Sequence, residues 1–574
     1  MTDEIGDVKS KDDGKNKPNL KEVFGHRKTL VMLGLGFASG LPYAVLTGTL
    51  YAWLTAAEID VATIGVLSWA GLAYAFKFLW SPLLDHVRPP LFARFGRRRG
   101  WIFCCQALVA ACLFFISLAD PALHIGWIAL LAVAGAFAAA THDIAIDAWR
   151  IESAEAAAPL DLLSSAVQLG FRAAAFAGGA GALLIANYAA WDAALLSIAA
   201  LSVVAMGATL AAPEPPAPSG DTVETPGAAS AEDAPARPIG EAERRFRNLV
   251  LTPVLLGWAW AATALFGFMA SAMTAETAPS ARVFTLTQGP WIIACCVLAP
   301  GVAAAVLVAF RARPITAIGF STPFPGAMDA LYRAILEPMV DLVSRLRYAA
   351  ILILALVLSY RYADLVWGAF AYPFYLGVDN GSGALGHTEL EVAFASKTFG
   401  VAMTFIGIFL GGVALLRFGR VNCLIAGAVL AAATNLLFAD LAAGAAYLDG
   451  FLSATRLGAV YGLFDFDQRM ARLMTAIAAE NLAIGFASAV YVAFLSSIVN
   501  PKYSAVQYAL LASLTMLIGT LGRPLLGELI EERGYAYVFV LTAVLGLVAV
   551  GASIGEAIRQ SRTGAEDAPS GGVG

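Results

Sequence analysis

Apolar runs of about 20 residues recur along the chain between short polar stretches, each long enough to cross the roughly 30 Å hydrocarbon core of a bilayer as a helix. They predict six spans near 29–55, 62–84, 100–118, 124–149, 162–186 and 190–211. The pattern then breaks at 212–248, which is rich in Pro, Ala, Ser and acid, cannot bury an apolar face and reads as a disordered linker. Two more runs follow near 249–274 and 287–310, then six near 348–376, 390–416, 421–445, 473–498, 503–527 and 535–556. The expected fold is an all-α polytopic membrane protein of six plus two plus six helices, about fourteen spans. Its expected parts are an N-terminal tail (1–28), a first half (29–211), the linker (212–248), an inserted helix pair (249–310), an amphipathic segment (311–347), a second half (348–556) and a C-terminal tail (557–574). Within the amphipathic segment, Met328, Leu331, Ile335, Leu336, Met339 and Val343 recur at helical spacing opposite Asp329, Arg333, Glu337, Asp341 and Arg345. This predicts a helix along the membrane surface, with Pro338 placed to bend it.

Basic residues set the expected orientation. Lys9, Lys11, Lys15, Lys17, Lys21, Arg27 and Lys28 precede the first span and Arg88, Arg94, Arg97, Arg98 and Arg99 follow the second, while the loops after the first and third spans hold no Lys or Arg. Positive charge stays on the cytoplasmic side, so both termini are expected there. The halves also echo each other. Gly96-Arg97-Arg98-Arg99-Gly100 follows the second helix of the first half, and Arg417-Phe418-Gly419-Arg420 follows the second helix of the second, as in a duplicated fold rocking about a midplane site.

Composition narrows the function classes. The 574 residues are 59% hydrophobic and 14% charged, with mean hydropathy +0.72, which argues against a soluble enzyme. All six cysteines lie inside apolar runs without zinc or disulfide spacing, so no metal or cofactor is expected, and no basic domain suggests nucleic acid. The polar first 28 residues show no signal-peptide pattern. With no Walker-type loop, any accumulation must draw on a gradient, and no nucleophile–base constellation marks an enzyme.

Charges within spans are costly, which makes each a functional candidate. The densest set is the stretch Thr141-His142-Asp143-Ile144-Ala145-Ile146-Asp147-Ala148-Trp149-Arg150, where Asp143, Asp147 and Arg150 share one helix face. Asp143 is expected to couple protons or hold substrate, and Asp147 with Arg150 either gates or simply pins the helix end as an ion pair. Lys77, Arg172, Arg361, Asp364, Lys397, Glu480 and Arg523 complete the in-span charges. Glu480 and Asp364 are the next proton-coupling candidates. Lys77, Arg172 and Lys397 have no acid at helical spacing in their own spans, so either a neighbouring helix supplies one or they bind an anionic solute; Arg361 either pairs with Asp364 or joins them. Tyr43, Trp53, Tyr74, Trp149, Tyr360 and Tyr372 either stack on sugar rings or sit at the interface as Trp and Tyr commonly do. Gly34, Gly36 and Gly40, followed by Pro42, permit close helix packing and a kink.

Several stretches together resemble the AmpG-type muropeptide permeases of the major facilitator superfamily. They are Gly36-Phe37-Ala38-Ser39-Gly40-Leu41-Pro42, Lys77-Phe78-Leu79-Trp80-Ser81-Pro82-Leu83-Leu84-Asp85, Gly96 to Trp101, Asp143 to Arg150, Leu336-Glu337-Pro338, Lys397-Thr398-Phe399-Gly400, Glu480-Asn481 and Tyr503 to Leu511. They keep their order across most of residues 29–556. The resemblance implies proton-driven import of N-acetylglucosaminyl-anhydro-N-acetylmuramyl peptides across a bacterial inner membrane for peptidoglycan recycling. Its implied partners are the sugar-peptide solute, protons and membrane lipids. The in-span cations Lys77, Arg172, Arg361 and Lys397, with His142, Gln507, Tyr43 and Tyr74, are the expected substrate-side residues, and the resemblance makes Asp85 with Arg97, Arg98 and Arg99 a gating loop. Two positions depart from the family pattern: His142 stands where an amide is expected, and His86 where an Arg is expected after Asp85. The rival readings are a related carrier of another sugar-containing or anionic solute, and a non-transporting membrane assembly protein on the same scaffold.

Overall fold

A computed structural model describes residues 25–57, 59, 69–89, 92–216, 241–274, 280–310, 319–362, 370–377 and 381–566. Among them there is no strand; a lone bridge joins Glu155 to Ala158. The first half opens with α1 (Arg27–Ala44), which continues through a π-helical turn, Val45–Thr49, into Leu50–Ala56. Next come α2 (Trp69–Ala75) and α3 (Ser81–His86), then α4 (Arg98–Ser117), α5 (Pro121–Glu152), α6 (Leu160–Phe176) and α7 (Trp191–Ala211). The inserted segment holds α8 (Glu241–Thr274), which starts inside the stretch read as linker, together with α9 (Ala281–Ile293) and α10 (Ala299–Phe310). The amphipathic segment contributes α11 (Pro325–Leu331) and α12 (Glu337–Leu346).

The second half comprises α13 (Ala349–Ser359), α14 (Ala371–Leu376), α15 (Gly400–Phe418), α16 (Arg420–Ala442), α17 (Ala446–Thr455), α18 (Gln468–Ile498) and α19 (Ser504–Glu566). Local chemistry sets several boundaries. Asp120 accepts the Ala122 N–H at 2.9 Å just before Pro121, and Asp467 accepts the Met470 N–H at 2.8 Å, so both long helices start on a side-chain cap. Gly534, at φ 77, breaks α19 into two lengths, because the left-handed region suits glycine.

Among the described residues, ten of the fourteen expected spans coincide with helices long and apolar enough to cross a membrane, and a bent pair, Pro325–Leu346 with Ala349–Ser359, brings the number to as many as eleven. The remaining three expected segments, 29–55, 62–84 and 503–527, fall on helices that are interrupted, partly undescribed or fused to the next. Leu123, Val204, Val302 and Ile351 project from the bundle, as befits helices whose surroundings are hydrocarbon.

Close approach of backbones draws α1 against α6. A Cβ at Gly36 would lie 2.3 Å from the Val167 carbonyl oxygen, and one at Gly40 would lie 2.4 Å from that of Phe171. Only glycine allows this contact, as the sequence spacing predicts. The two halves meet where α6 packs on α15 and α18, and where α3 and α5 pack on α19.

The amphipathic segment is docked against the protein. Pro338, Met339, Val340 and Leu342 of α12 are buried, and a 108° bend separates this segment from α13.

Candidate functional site

Pro82 creates the site's first feature. Its ring would clash with the carbonyl four residues earlier in a continuous helix, so α2 and α3 are separated by a 3₁₀ turn, Lys77–Leu79. The Ser81 hydroxyl donates to the Phe78 carbonyl at 2.9 Å, and the Trp80 indole donates to Thr141 Oγ1 at 3.0 Å, fastening the turn to α5. Lys77 is thereby buried and aimed at α5, with Nζ 3.9 Å from an oxygen of Asp143 and 3.9 Å from one of Asp147. A neighbouring helix does supply its acids.

Around this contact a compact polar cluster forms. Ser39 of α1 donates to Asp143 Oδ1 at 2.5 Å, and the fully buried Arg150 donates to Asp147 Oδ1 at 2.8 Å. Arg150 also reaches the second half, donating to Ser496 Oγ at 3.1 Å with its guanidinium 4.9 Å from the Tyr508 ring centroid. Tyr43 and Tyr74 meet edge to face at 5.2 Å on the first-half side. Two carboxylates thus balance two cations between the halves. The arrangement can exchange a proton at a carboxylate, release a cation to an anionic solute and offer aromatic faces to a ring.

A second knot closes one end of the bundle. Arg98, completely buried, pairs with Asp85 at 2.6 Å and with Glu152 at 2.5 Å, and donates to the Leu84 carbonyl at 3.0 Å and to Ser504 Oγ at 2.9 Å. Ser504 donates in turn to Glu152 at 2.7 Å, while the Val506 N–H, in the first turn of α19, donates to Asp85 at 3.2 Å. Arg97 pairs with Glu152 at 3.2 Å, whereas Arg99 donates to the Leu210 carbonyl at 3.2 Å at the end of α7. Glu214 accepts the backbone N–H groups of Arg98 and Arg99 at 2.8 and 2.9 Å, capping α4. The corresponding loop of the second half crosses back, with Arg420 pairing with Asp161 near the start of α6 at 2.6 Å.

Other candidates lie elsewhere. His142, one residue from Asp143 but on another helix face, turns into a small space lined by Ala38, Pro42, Gln106, Val109 and Ser202, and is separated from the Lys77 cluster. Gln507 is fully buried and held by the amphipathic segment, donating to the Pro338 carbonyl at 2.7 Å and to Asp341 at 2.9 Å and accepting from Arg345 at 3.2 Å. Arg361 donates to Ser488 Oγ of α18 at 3.0 Å, and Glu480 lies two helical turns before Ser488 on the same helix. Arg172, on α6, is partly buried. Asp364 and the Lys397 side chain lie outside the described residues. Sequence reasoning missed Ser39, Glu152, Glu214, Ser496, Ser504 and Tyr508. Glu152 left a signal as a carboxylate two residues beyond Arg150 at the helix end, and Ser39, Ser504 and Tyr508 lie within the stretches that carry the family resemblance.

Comparison with known proteins shows what the chain is similar to. A family model described as acetyl-coenzyme A transporter 1 matches residues 29–173. The anhydromuropeptide permease of Escherichia coli (strain K12) is 27% identical over 535 residues, covering 92% of this chain and 79% of that protein. The Rickettsia felis protein named "Putative transporter AmpG 4" is 24% identical over 531 residues, covering 92% of this chain and 97% of that protein. Among solved structures, the major facilitator superfamily proton:xylose symporter XylE aligns with a TM-score of 0.51 at 12% identity, covering 93% of this chain and 95% of that one, a likeness of fold. The chain is a multi-pass membrane transporter of the major facilitator fold and a relative of the AmpG-type permeases.

Proposed function

We propose that this chain imports anhydromuropeptides across the bacterial inner membrane by proton-coupled alternating access, with both termini in the cytoplasm and the halves 29–211 and 348–556 as the rocking bodies. The observation that carries the reading is Lys77 poised 3.9 Å from both Asp143 and Asp147 between those halves. Protonating Asp143 removes one of the two negative charges facing Lys77, leaving its ammonium to engage a peptide carboxylate. Loss of that proton restores the pair and expels the anion. Tyr43 and Tyr74 offer sugar-facing rings beside the charges. Arg361, Arg172 and Glu480 are further charged groups for the solute path, and Asp147 with Arg150 ties the coupling site to the second half. The Arg98 knot acts as the cytoplasmic gate, closed in this arrangement. The relatives' names support the solute and the fold supports the mechanism.

The test is uptake of radiolabelled anhydromuropeptide by a Gram-negative strain lacking its own permease. Expression of this chain should give saturable uptake that Lys77→Ala lowers by about tenfold or more, because a charge-assisted contact to the solute is lost. Absence of uptake despite correct insertion overturns the muropeptide reading. A second reading, another anionic solute, is favoured by the match of residues 29–173 to the acetyl-coenzyme A transporter model. Competition by unlabelled acetyl-coenzyme A would select it.

A further inference from the structure

We infer that the inserted helix pair is a positioning element for Lys77: its aromatic side chains clamp the 3₁₀ turn that carries this residue. Both neighbours of Lys77 point away from the polar cluster into the insertion. Phe76 is completely buried and meets Phe284 of α9 edge to face at 6.4 Å, and Phe78, 1% exposed, meets Trp258 of α8 in the same manner at 6.4 Å. Phe284 itself stacks on Phe268 of α8 at 4.4 Å, so the two inserted helices are joined at the point where they grip the turn. One helical turn from Thr141, Phe137 of α5 stacks on Phe266 of α8 at 5.9 Å. The insertion therefore holds both partners of the 3.9 Å contact, the turn bearing Lys77 and the helix bearing Asp143 and Asp147.

Physical reasoning makes this clamp necessary. A 3₁₀ turn inside a span has lost regular i to i−4 hydrogen bonds, and Pro82 removes a donor as well, so its backbone does not fix the direction of a long side chain. Rings packed on both flanks do. Without them the Lys77 ammonium, whose stem has four rotatable bonds, would be free to leave the two carboxylates. The insertion so read is neither a lipid-facing spacer nor a solute-binding surface. It sets the geometry of the coupling pair, and in that respect the inference rests on the proposed transport reading.

The experiment is competitive acetylation of purified full-length protein by an N-hydroxysuccinimide ester, read by peptide mass spectrometry, with the exposed Lys502 as internal reference. In the unsubstituted protein Lys77 should be strongly protected relative to Lys502. Trp258→Ala and Phe284→Ala should each raise relative Lys77 labelling about two- to tenfold, the worth of one ring pair, while Trp258→Phe should keep the protection. Should the alanine variants fail to fold, Trp258→Leu and Phe284→Leu, which retain more volume, carry the same comparison. The same variants should raise the KM for uptake more than they lower the maximal rate. Unchanged Lys77 labelling in every folded variant overturns the clamp. Because labelling needs no solute, absent muropeptide uptake would sink the proposed function and leave the clamp standing, and unchanged labelling would do the reverse.

Discussion

At 3.9 Å a pair of unit charges attracts by about 4 kcal/mol in an effective dielectric near 20, which is comparable with the cost of desolvating a buried ion. The Lys77 cluster therefore sits near balance, and in the proposed cycle a proton arriving at Asp143 changes which ion Lys77 prefers. Asp143→Asn should keep the fold yet remove the pH dependence of uptake, because Asn makes a neutral hydrogen bond to Ser39 but carries no titratable charge; uptake against pH checks it. Arg98 is different, being held by two carboxylates and fully buried. Arg98→Gln leaves Asp85 without its cation and Glu152 with Arg97 alone, so the closed arrangement should weaken by about 3–5 kcal/mol. The expected readout is faster thiol modification of Ser504→Cys, compared with the same cysteine beside an intact Arg98. The Asp143, Asp147 and Arg150 grouping was legible in the sequence because helical spacing alone puts them on one face. Ser39 was not, since its hydroxyl hides in a glycine-rich stretch, and Ser504 was not, since 406 residues separate it from Arg98.

The elements show where periodicity suffices and where it fails. Spans such as Arg420–Ala442 and Gln468–Ile498 are uninterrupted apolar helices, and hydropathy finds them directly. The break at Lys77–Leu79 follows from Pro82, yet its consequence, a lysine turned toward α5, depends on contacts that no single-segment pattern contains. Likewise the amphipathicity of 324–347 predicts a surface helix, while the docking of α12 requires Gln507 and Asn500, far along the chain. Packing of α1 on α6 yields a sharp expectation. Gly40→Val should destabilise by about 1–3 kcal/mol through overpacking, whereas Gly48→Val, with nothing within 4 Å of the new Cβ, should leave the thermal midpoint nearly unchanged. Beyond the spans, α17 is tied to the start of α18 by Asp449, whose carboxyl is held below its ordinary 3.8 by hydrogen bonds from Arg472 and Gln468. A depressed folded value means that its stabilising contribution is fully present above 3.8 and is lost as pH falls through the lower folded value. Hydrogen exchange in 446–455 should therefore accelerate on acidification in that range, and Asp449→Asn should flatten the response.

For the whole molecule, the all-α multi-pass fold, the basic loops and the in-span charges were readable from the chain, because a bilayer forces apolar length and charge placement into recognisable patterns. What joins the parts was not. The Arg98 knot, through Ser504, and the Arg420–Asp161 pair each link one half's loop to the other half's helix, so both must part if the halves rock. A carrier built this way should spend protons on solute movement. The most direct test is uptake of labelled anhydromuropeptide into proteoliposomes holding the purified chain, with an inside-alkaline pH gradient imposed and then collapsed by a protonophore. The account predicts accumulation above equilibrium that the protonophore abolishes and that Asp143→Asn never shows; accumulation indifferent to the gradient, or equal in Asp143→Asn, would contradict it.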